Sequence, residues 1–462
     1  MTSKTVTREF PITMETDVLV CGGGTAGAVA AIAAARNGAK TTLLESAHAL
    51  GGTATIGGVN GFHGFRRHDR SAGGVAEQVI FGMGQEILDR LGDMGGVVGK
   101  KGEYSKGSVQ MFDPELMKLL LEQMCVEAGV HFLYGTYVVD TVSEARSVQG
   151  VTYVNKSGPG CIKAKVTIDC TGDADVAASA GAQYSTGRIN GKPMPMTLSF
   201  LMGNLDIEEY RKQLGWKPPM SLMMKAHENG DLSYADGVNN FGYFGILNVV
   251  REGKRLTDVA WFNSDMVYNT DATNAEQMTQ AWLKGRKRMY EIANFARKYL
   301  PGCKDAYILY TQPMMGIRES RNIVGDYVLT DDDFYQARRH ADVIGQSGRA
   351  MNVHPPEGLP PGVVEHIGNP PFWTETKVPF DIPYRILLPV GVENLLVAGR
   401  CISATGLVMG SMRGEPQAML TGEAAGTAAA LAIRDGVAPR QVSIAKLQDR
   451  LKEQNVNLGG AK

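Results

Sequence analysis

DVLVCGGGTAGAVAAIAAARNGAKTTLLE, residues 17–45, is the stretch whose reading decides the fold. Its first five residues, Asp17 to Cys21, are a short apolar run of the kind that forms a strand buried on both faces. Gly22, Gly24 and Gly27 follow at once in GxGxxG spacing, with Thr25 and Ala26 inside the turn. Residues 28–37 are alanine-dense and favour helix, Gly38 ends that helix, and residues 40–44 read as a second strand. Each part has a physical reason in a dinucleotide site. Gly22 permits the sharp turn, Gly24 lets backbone approach a pyrophosphate, and Gly27 lets the helix pack closely on the strand. The phosphates then face the N-terminal end of the helix, whose first N–H groups have no partner within it. Glu45, followed by Ser46, ends the second strand where a carboxylate accepts from adenosine ribose hydroxyls, and a free acid there argues against a 2′-phosphate. A lone GxGxxG also occurs in ordinary glycine-rich turns; strand, helix, second strand and terminal acid together make the signal specific.

Two further stretches bear on which dinucleotide. Leu50-Gly51-Gly52-Thr53-Ala54-Thr55 follows Glu45, and Glu393-Asn394-Leu395-Leu396-Val397-Ala398-Gly399-Arg400 leads into a small-residue helix at 422–430. This pairing resembles the FAD-dependent oxidoreductases of the glutathione reductase superfamily. The resemblance implies non-covalent FAD spanning both ends of the chain, with the late strand beside the ribityl chain and the next helix pointing its N-terminus at the flavin pyrimidine ring. It implies an α/β fold, a three-layer Rossmann-like FAD-binding domain with a parallel sheet and an inserted α+β substrate domain. The FAD-binding part is expected from residues 1–60, 108–186 and 380–462, and the substrate part from 187–379 with the loop 61–107. The resemblance carries cofactor contacts to Gly52, Thr53, Val138, Thr171, Gly172, Gly399, Arg400, Gln417 and Ala418.

Composition sets bounds. The 462 residues suffice for two or three domains. A formal charge of −1 gives no support for a nucleic-acid partner. The six cysteines form no CxxC pair, which reads as reduced, mostly buried thiols, and no metal site is expected. Residues 1–16 carry charges and no apolar signal-peptide core, and no apolar run is long enough to cross a membrane. A cytoplasmic protein is expected, with a small-molecule substrate, an electron acceptor that the sequence does not name, and self-association as the general tendency of soluble proteins.

Along the chain, residues 1–16 read as an extended lead-in. The histidine- and glycine-rich segment 56–74 reads as loop, with His63, Arg66, Arg67 and His68 as candidates for the substrate side. For His63 the substrate-side and solvated readings stand level; His68, flanked by charges, reads as solvated. Apolar spacing predicts a helix over 75–91, and 92–107 reads as a surface loop that lacks the ending of a phosphate loop. Asp113 and Pro114 predict a capped helix to about Ala128, closed by Gly129. Residues 131–140 read as one strand, with Val138 and Val139 where relatives hold adenine. A meander over 148–154 and 161–169 ends in Asp169-Cys170-Thr171-Gly172-Asp173, similar to the superfamily's "ATGD", with Asp173 as N-cap of a helix over 174–180. Alternating segments at 197–202 and 246–250 and a long helix at 275–300 mark the inserted part. No second glycine-turn unit with a terminal acid is visible, so a dedicated NAD(P)H domain is not expected.

Three stretches carry candidate chemistry: Gly316 to Tyr327 (GIRESRNIVGDY), Val353-His354-Pro355-Pro356-Glu357-Gly358, and Asp381-Ile382-Pro383-Tyr384-Arg385. With "AGRCISATG" at 398–406 they resemble a bacterial FAD-dependent oxidoreductase family related to the fumarate reductase flavoprotein and thiazole-biosynthesis groups, over nearly the whole chain. Two positions depart from relatives: Gly406 stands where many have histidine, and Arg400 where many flavoproteins have aspartate, which suggests a contact to the pyrophosphate. Arg318 is the candidate for binding a substrate carboxylate or stabilising reduced flavin; a salt bridge with Glu319 is the plain alternative. His354, then His63, are the acid/base candidates because histidine titrates near neutrality, although a lone histidine is more often structural. Tyr384 and Arg385 either close the site or lock the domains. The function expected is hydride transfer between a small hydroxyl- or carboxylate-bearing substrate and flavin N5. Reduction of an activated C=C bond, NAD(P)H-dependent monooxygenation, thiazole-synthase-like chemistry and non-catalytic FAD binding stay open beside it.

Overall fold

The computed structural model describes residues 7–69, 76–99, 109–186, 192–215, 218–238, 241, 244–264, 266–357 and 373–460. Its central sheet runs in the order His131–Leu133, Thr41–Leu44, Ile12–Cys21, Gly158–Asp169, Ser147–Asn155, Tyr137–Glu144. The Ile12–Cys21 strand is parallel to both neighbours, and Val18 to Cys21 are fully buried, as the apolar run predicts. That strand starts at Ile12, so much of the expected lead-in is sheet; residues 1–6 lie outside the described residues. The long Gly158–Asp169 strand changes partners along its length. Its first half pairs antiparallel with Ser147–Asn155, and its last three residues pair parallel with Leu395–Val397. The C-terminal part of the chain therefore enters the sheet beside the dinucleotide turn.

The two small-residue helices explain each other. Thr25–Arg36 packs against Glu415–Asp435 so closely that a Cβ on Gly422 would lie 2.2 Å from the Ala26 carbonyl oxygen. One on Gly426 would lie 2.1 Å from that of Ala30. Glycines four apart share a helix face, and here that face meets backbone. The helix opens at Glu415, matching a start expected near Pro416 with Gln417 and Ala418 in the first turn.

Several local expectations are corrected. Residues 131–140 are two strands on opposite edges of the sheet, parted at a turn where Gly135 has φ +56°. The helix expected over 75–91 starts at Gly82 and runs to Asp93, because Gly82 takes φ +62° and the preceding chain bridges Arg66 through Gln78; residue 75 lies outside the described residues. Residues 61–63 of the expected loop form a strand against Val109–Met111, while 70–74 of that loop and 100–107 of the expected surface loop lie outside the described residues. The strand expected at 197–202 is Phe200–Gly203. Pro114–Ala128 matches its prediction, with Asp113 Oδ1 accepting from Glu115 N at 2.9 Å and Gly129 in the left-handed region at φ +76°.

The segment between these halves builds an antiparallel sheet in the order Gly245–Arg251, Lys254–Asn263, Phe200–Gly203, Tyr307–Thr311. One face carries the Ala275–Tyr299 helix, and Phe200, Phe244, Phe262, Met289, Ile292 and Phe295 form an apolar cluster distinct from that of the parallel sheet. All six cysteines are buried free thiols. Among the described residues no helix is long and apolar enough to cross a membrane, and no group of three His, Cys, Asp or Glu residues could hold a metal ion.

Candidate cofactor and substrate site

A cavity of about 530 Å³ runs from Glu45, Ser46 and Val138 past the glycine turn to Arg318, Arg349 and Arg413. At its dinucleotide end each glycine of the motif has its own constraint. Gly22 sits at φ +96°, where a Cβ would come within 2.5 Å of the Cys170 carbonyl oxygen. A Cβ on Gly27 would lie 1.8 Å from the Gly22 carbonyl oxygen, so Gly27 does not line the cavity; it sets how closely helix and turn approach. Gly24 is the opposite case, with nothing within 4 Å of a Cβ and its backbone facing the cavity. It is also the N-cap of Thr25–Arg36 and supplies no side-chain cap, which leaves the helix N-terminus available to an anion.

Glu45 is held at the end of its strand by Gly23 N, 2.5 Å from Oε2, and by Ala47 N, 2.7 Å from Oε1; the Ser46 hydroxyl adds a bond at 3.1 Å. Thr25 donates to the Gly51 carbonyl, tying the turn to Gly52 and Thr53 on the cavity wall. Thr171 and Gly172 are positioned by Asp169, which is fully buried. Asp169 Oδ1 accepts from Thr171 N and Oγ1, and its Oδ2 accepts from Ala177 N at 2.8 Å. Burial pushes this carboxyl up to about 6 against those hydrogen bonds. Asp173 is not the helix cap: the Asp175–Ser179 helix is entered through Ala174 at φ +55°, with Thr171 Oγ1 accepting from Asp175 N. Asp173 instead pairs with Arg400 at 2.8 Å, and Ser320 Oγ accepts from the same guanidinium. Arg400 lines the cavity with its charge already matched, which weakens the expectation of a dedicated pyrophosphate contact. Gly399, at φ +80°, and Ala418 complete this wall.

Gln417 is fully buried but off the wall. Its Nε2 donates to Gly64 O at 3.1 Å, while its Oε1 has no partner. The helix it belongs to opens at Gly414 without a side-chain cap, so a second helix N-terminus meets the cavity. Two uncapped helix starts, an open glycine and a terminal acid fit a flavin adenine dinucleotide: acid to ribose, first helix to pyrophosphate, second helix to the ring.

The other end of the cavity is cationic. Arg318 Nη1 donates to Pro195 O at 2.6 Å, Arg413 to Asn352 O at 2.9 Å, and Arg349 to Gly410 O. Glu319 Oε2 accepts from Met194 N at 3.0 Å. Nε of Arg349 and Nε of Arg413 are buried without hydrogen-bond partners. Burial, together with repulsion from Arg413, lowers Arg349 to about 9; burial lowers Arg413 to about 10. His63 and His354 both line this end. The expectation that they titrate near neutrality fails. Burial and then the neighbouring arginines push His63 down to about 3 and His354 well below its usual range, so both rings are neutral.

His68 also departs from expectation: it is buried, and its Nδ1 is 3.3 Å from Ala350 N, where Arg349's chain passes. Arg67 pairs with Asp69 and Glu77. Tyr384 is buried with its hydroxyl on Pro439 O, Arg385 pairs with Asp342, and neither lines the cavity. That segment locks structure. Arg349, Arg413, Asn352 and Glu415 on the wall went unread in the sequence; Arg413 and Glu415 could have been noticed as charges immediately before a small-residue helix.

The family model for FAD dependent oxidoreductases matches residues 17–451. No curated protein matches the chain. Among solved structures, a geranylgeranyl bacteriochlorophyll reductase-like protein from Thermoplasma acidophilum is 13% identical, with 96% of this chain and 84% of that one covered and a TM-score of 0.48. The p-nitrophenol 4-monooxygenase of Pseudomonas putida is 13% identical over 95% of this chain and 84% of that one, TM-score 0.47. A myxobacterial chondrochloren halogenase is 12% identical over 96% and 79%, TM-score 0.44. With the family match spanning the glycine turn, the inserted sheet and the C-terminal helix alike, the chain belongs to the FAD-dependent oxidoreductase family, with FAD as its cofactor.

Proposed function

We propose that this enzyme transfers a hydride between FAD and a small organic substrate that carries a carboxylate. The observation that carries the reading is the convergence of Arg318, Arg349 and Arg413 on one end of the cavity. A buried guanidinium with spare donors is costly unless an anion matches it, and a planar carboxylate takes two parallel bonds from one. Bound FAD supplies two-electron chemistry at the ring end of the cavity.

The chain's own residues supply the rest. The arginines bind and orient the substrate's anionic group. Neutral His63 and His354 present ring nitrogens that can hydrogen-bond the reacting hydroxyl or carbonyl oxygen without adding charge. Met314, Met315 and Ile317 line the same end and exclude water, which strengthens every polar contact there. The proposed substrate part comprises the 187–379 segment and the 61–107 segment, which between them contribute Arg318, Arg349, His354 and His63; Arg413 comes from the FAD-binding part.

The experiment is an anaerobic absorbance titration of the flavin with 2-hydroxy acids, amino acids, sugars, neutral amines and enoates, before and after dithionite reduction. Bleaching by an acid-bearing donor, or reoxidation by an enoate carboxylate, supports the reading. A response only to neutral compounds, or none, overturns it.

A further inference from the structure

At the arginine end of the cavity the acidic wall residue is Glu415, the first residue of the Glu415–Asp435 helix and 7% exposed. Among the described residues no side chain hydrogen-bonds to its carboxylate. Charged neighbours reach it from two other elements: Arg349 follows the Val343–Ser347 strand, and Arg413 follows the Gly406–Met412 helix. Glu319 also acts on Arg413, and Arg318, His63 and His354 share the chamber.

We propose that Glu415, rather than either histidine, is the group that exchanges a proton with the substrate. The inference rests on the reading of this cavity as the redox substrate site. Three observations support it. A carboxyl on the cavity wall without a side-chain partner can reach a ligand seated on Arg349 and Arg413. Burial pushes Glu415 up to about 7 against its own backbone N–H and those two arginines, so near neutral pH it both takes and gives a proton. The histidines, held neutral by burial and then by the same arginines, are weak bases that an additional positive charge in this chamber disfavours. For a donor with a hydroxyl on the reacting carbon, the O–H bond breaks and its proton joins Glu415. The hydride leaves that carbon with both electrons for FAD, and a C=O bond remains. Run backward, the acid returns the proton.

The first test needs no substrate. Infrared difference spectra of the FAD-loaded protein between pH 6 and pH 9 follow the C=O stretch of protonated carboxyls. Glu423, in the same helix as Glu415, accepts from Met83 N and is pushed up to about 8, and Asp169 is pushed up to about 6, so each contributes a band of its own. The expected result is a band change that loses one part in Glu415→Gln and a second in Glu423→Gln, with the Asp169 part kept in both. A change that survives Glu415→Gln intact overturns the assignment. The second test takes the rate of flavin reduction by a donor found in the titration. Glu415→Gln is expected to lower it by roughly 10²–10⁴-fold and to remove the pH limb near neutrality. His354→Asn is expected to lower the rate with the limb kept. Loss of the limb in His354→Asn and its survival in Glu415→Gln overturns the proposal. FAD retention and melting temperature verify that each variant folds. Absence of any donor for the wild type overturns the redox reading alone, while the infrared result still decides where the proton resides.

Discussion

Gly24→Ala and Gly27→Ala add the same methyl group to one turn, and the structure predicts opposite consequences. At Gly27 the new Cβ would stand 1.8 Å from the Gly22 carbonyl oxygen and 3.0 Å from Cys170 Cβ. An ordinary contact needs about 1.5 Å more, and a backbone atom cannot rotate away as a side chain does. Gly22 cannot yield cheaply, since its own N–H donates to Leu44 O at 2.8 Å and a shift would break the turn from the second strand. Overpacking costs about 1–3 kcal/mol, with backbone contact placing this case near the top, and alanine in a helix returns about 1 kcal/mol. The net loss is about 2 kcal/mol, which, where the cost falls on the FAD-competent turn, is roughly 30-fold in FAD affinity at 1.4 kcal/mol per tenfold. At Gly24 no atom lies within 4 Å of the new Cβ and the backbone is extended, so the fold loses at most about 1 kcal/mol from the poorer cap. Its methyl enters the cavity where the pyrophosphate approaches. The assay is FAD retention on gel filtration beside thermal melting of the FAD-free protein. Gly27→Ala is expected to lose both FAD and melting temperature, and Gly24→Ala to lose FAD while melting close to wild type. A Gly27→Ala protein with full FAD and unchanged melting would refute the packing argument.

Three other variants probe the remaining charges. Glu45→Ala removes the acceptor at the ribose end and is expected to weaken FAD binding roughly 10–100-fold, as loss of a charged hydrogen bond of about 1.5–3 kcal/mol requires, measured by fluorescence titration of the apoprotein. Arg413→Gln is expected to raise the KM of a carboxylate substrate by at least about tenfold while leaving the melting temperature equal or higher, because the variant removes a buried charge whose Nε lacks a partner; a fall in melting temperature with KM unchanged would count against the anion site. Glu423 holds a proton in the folded chain up to about 8, whereas the unfolded chain releases it near 4.5. Its contribution to stability is full below the unfolded value and is lost as pH rises through the folded one. Wild-type melting is therefore expected to fall between pH 5 and pH 8 more steeply than that of Glu423→Gln, and parallel profiles would refute the assignment.

The dinucleotide end was legible because its causes are local. Gly22, Gly24, Gly27 and Glu45 act within a single strand–turn–helix–strand unit, where steric need and spacing are the same statement. The Asp113-Pro114 cap could be read for the same reason: donor and acceptor are two residues apart. What escaped the sequence depends on partners far along the chain. Residues 131–140 look like one strand, and only the sheet shows that 131–133 and 137–144 belong to opposite edges. Asp173 has the form of a cap, but Arg400 draws its carboxylate away across the cavity wall. His68, with charged neighbours in sequence, is buried and accepts a hydrogen bond from Ala350 N, 282 residues further along.

The histidine expectation failed by the same logic. An imidazole's affinity for a proton depends on what surrounds it, and here burial lowers it first, then Arg349 and Arg413 beside both rings and Arg318 beside His354. The arginines that, after burial, weaken the histidines as bases are also those that make the chamber selective for an anion. A site that concentrates positive charge to hold a carboxylate must move its proton through a group that gains from that charge when ionised and from burial when neutral. A carboxyl balanced between the two titrates near neutrality; an imidazole in the same place is penalised by both. On this argument, replacing Glu415 with histidine would not restore proton exchange while Arg349 and Arg413 remain, and it would do so only when one of them is neutralised.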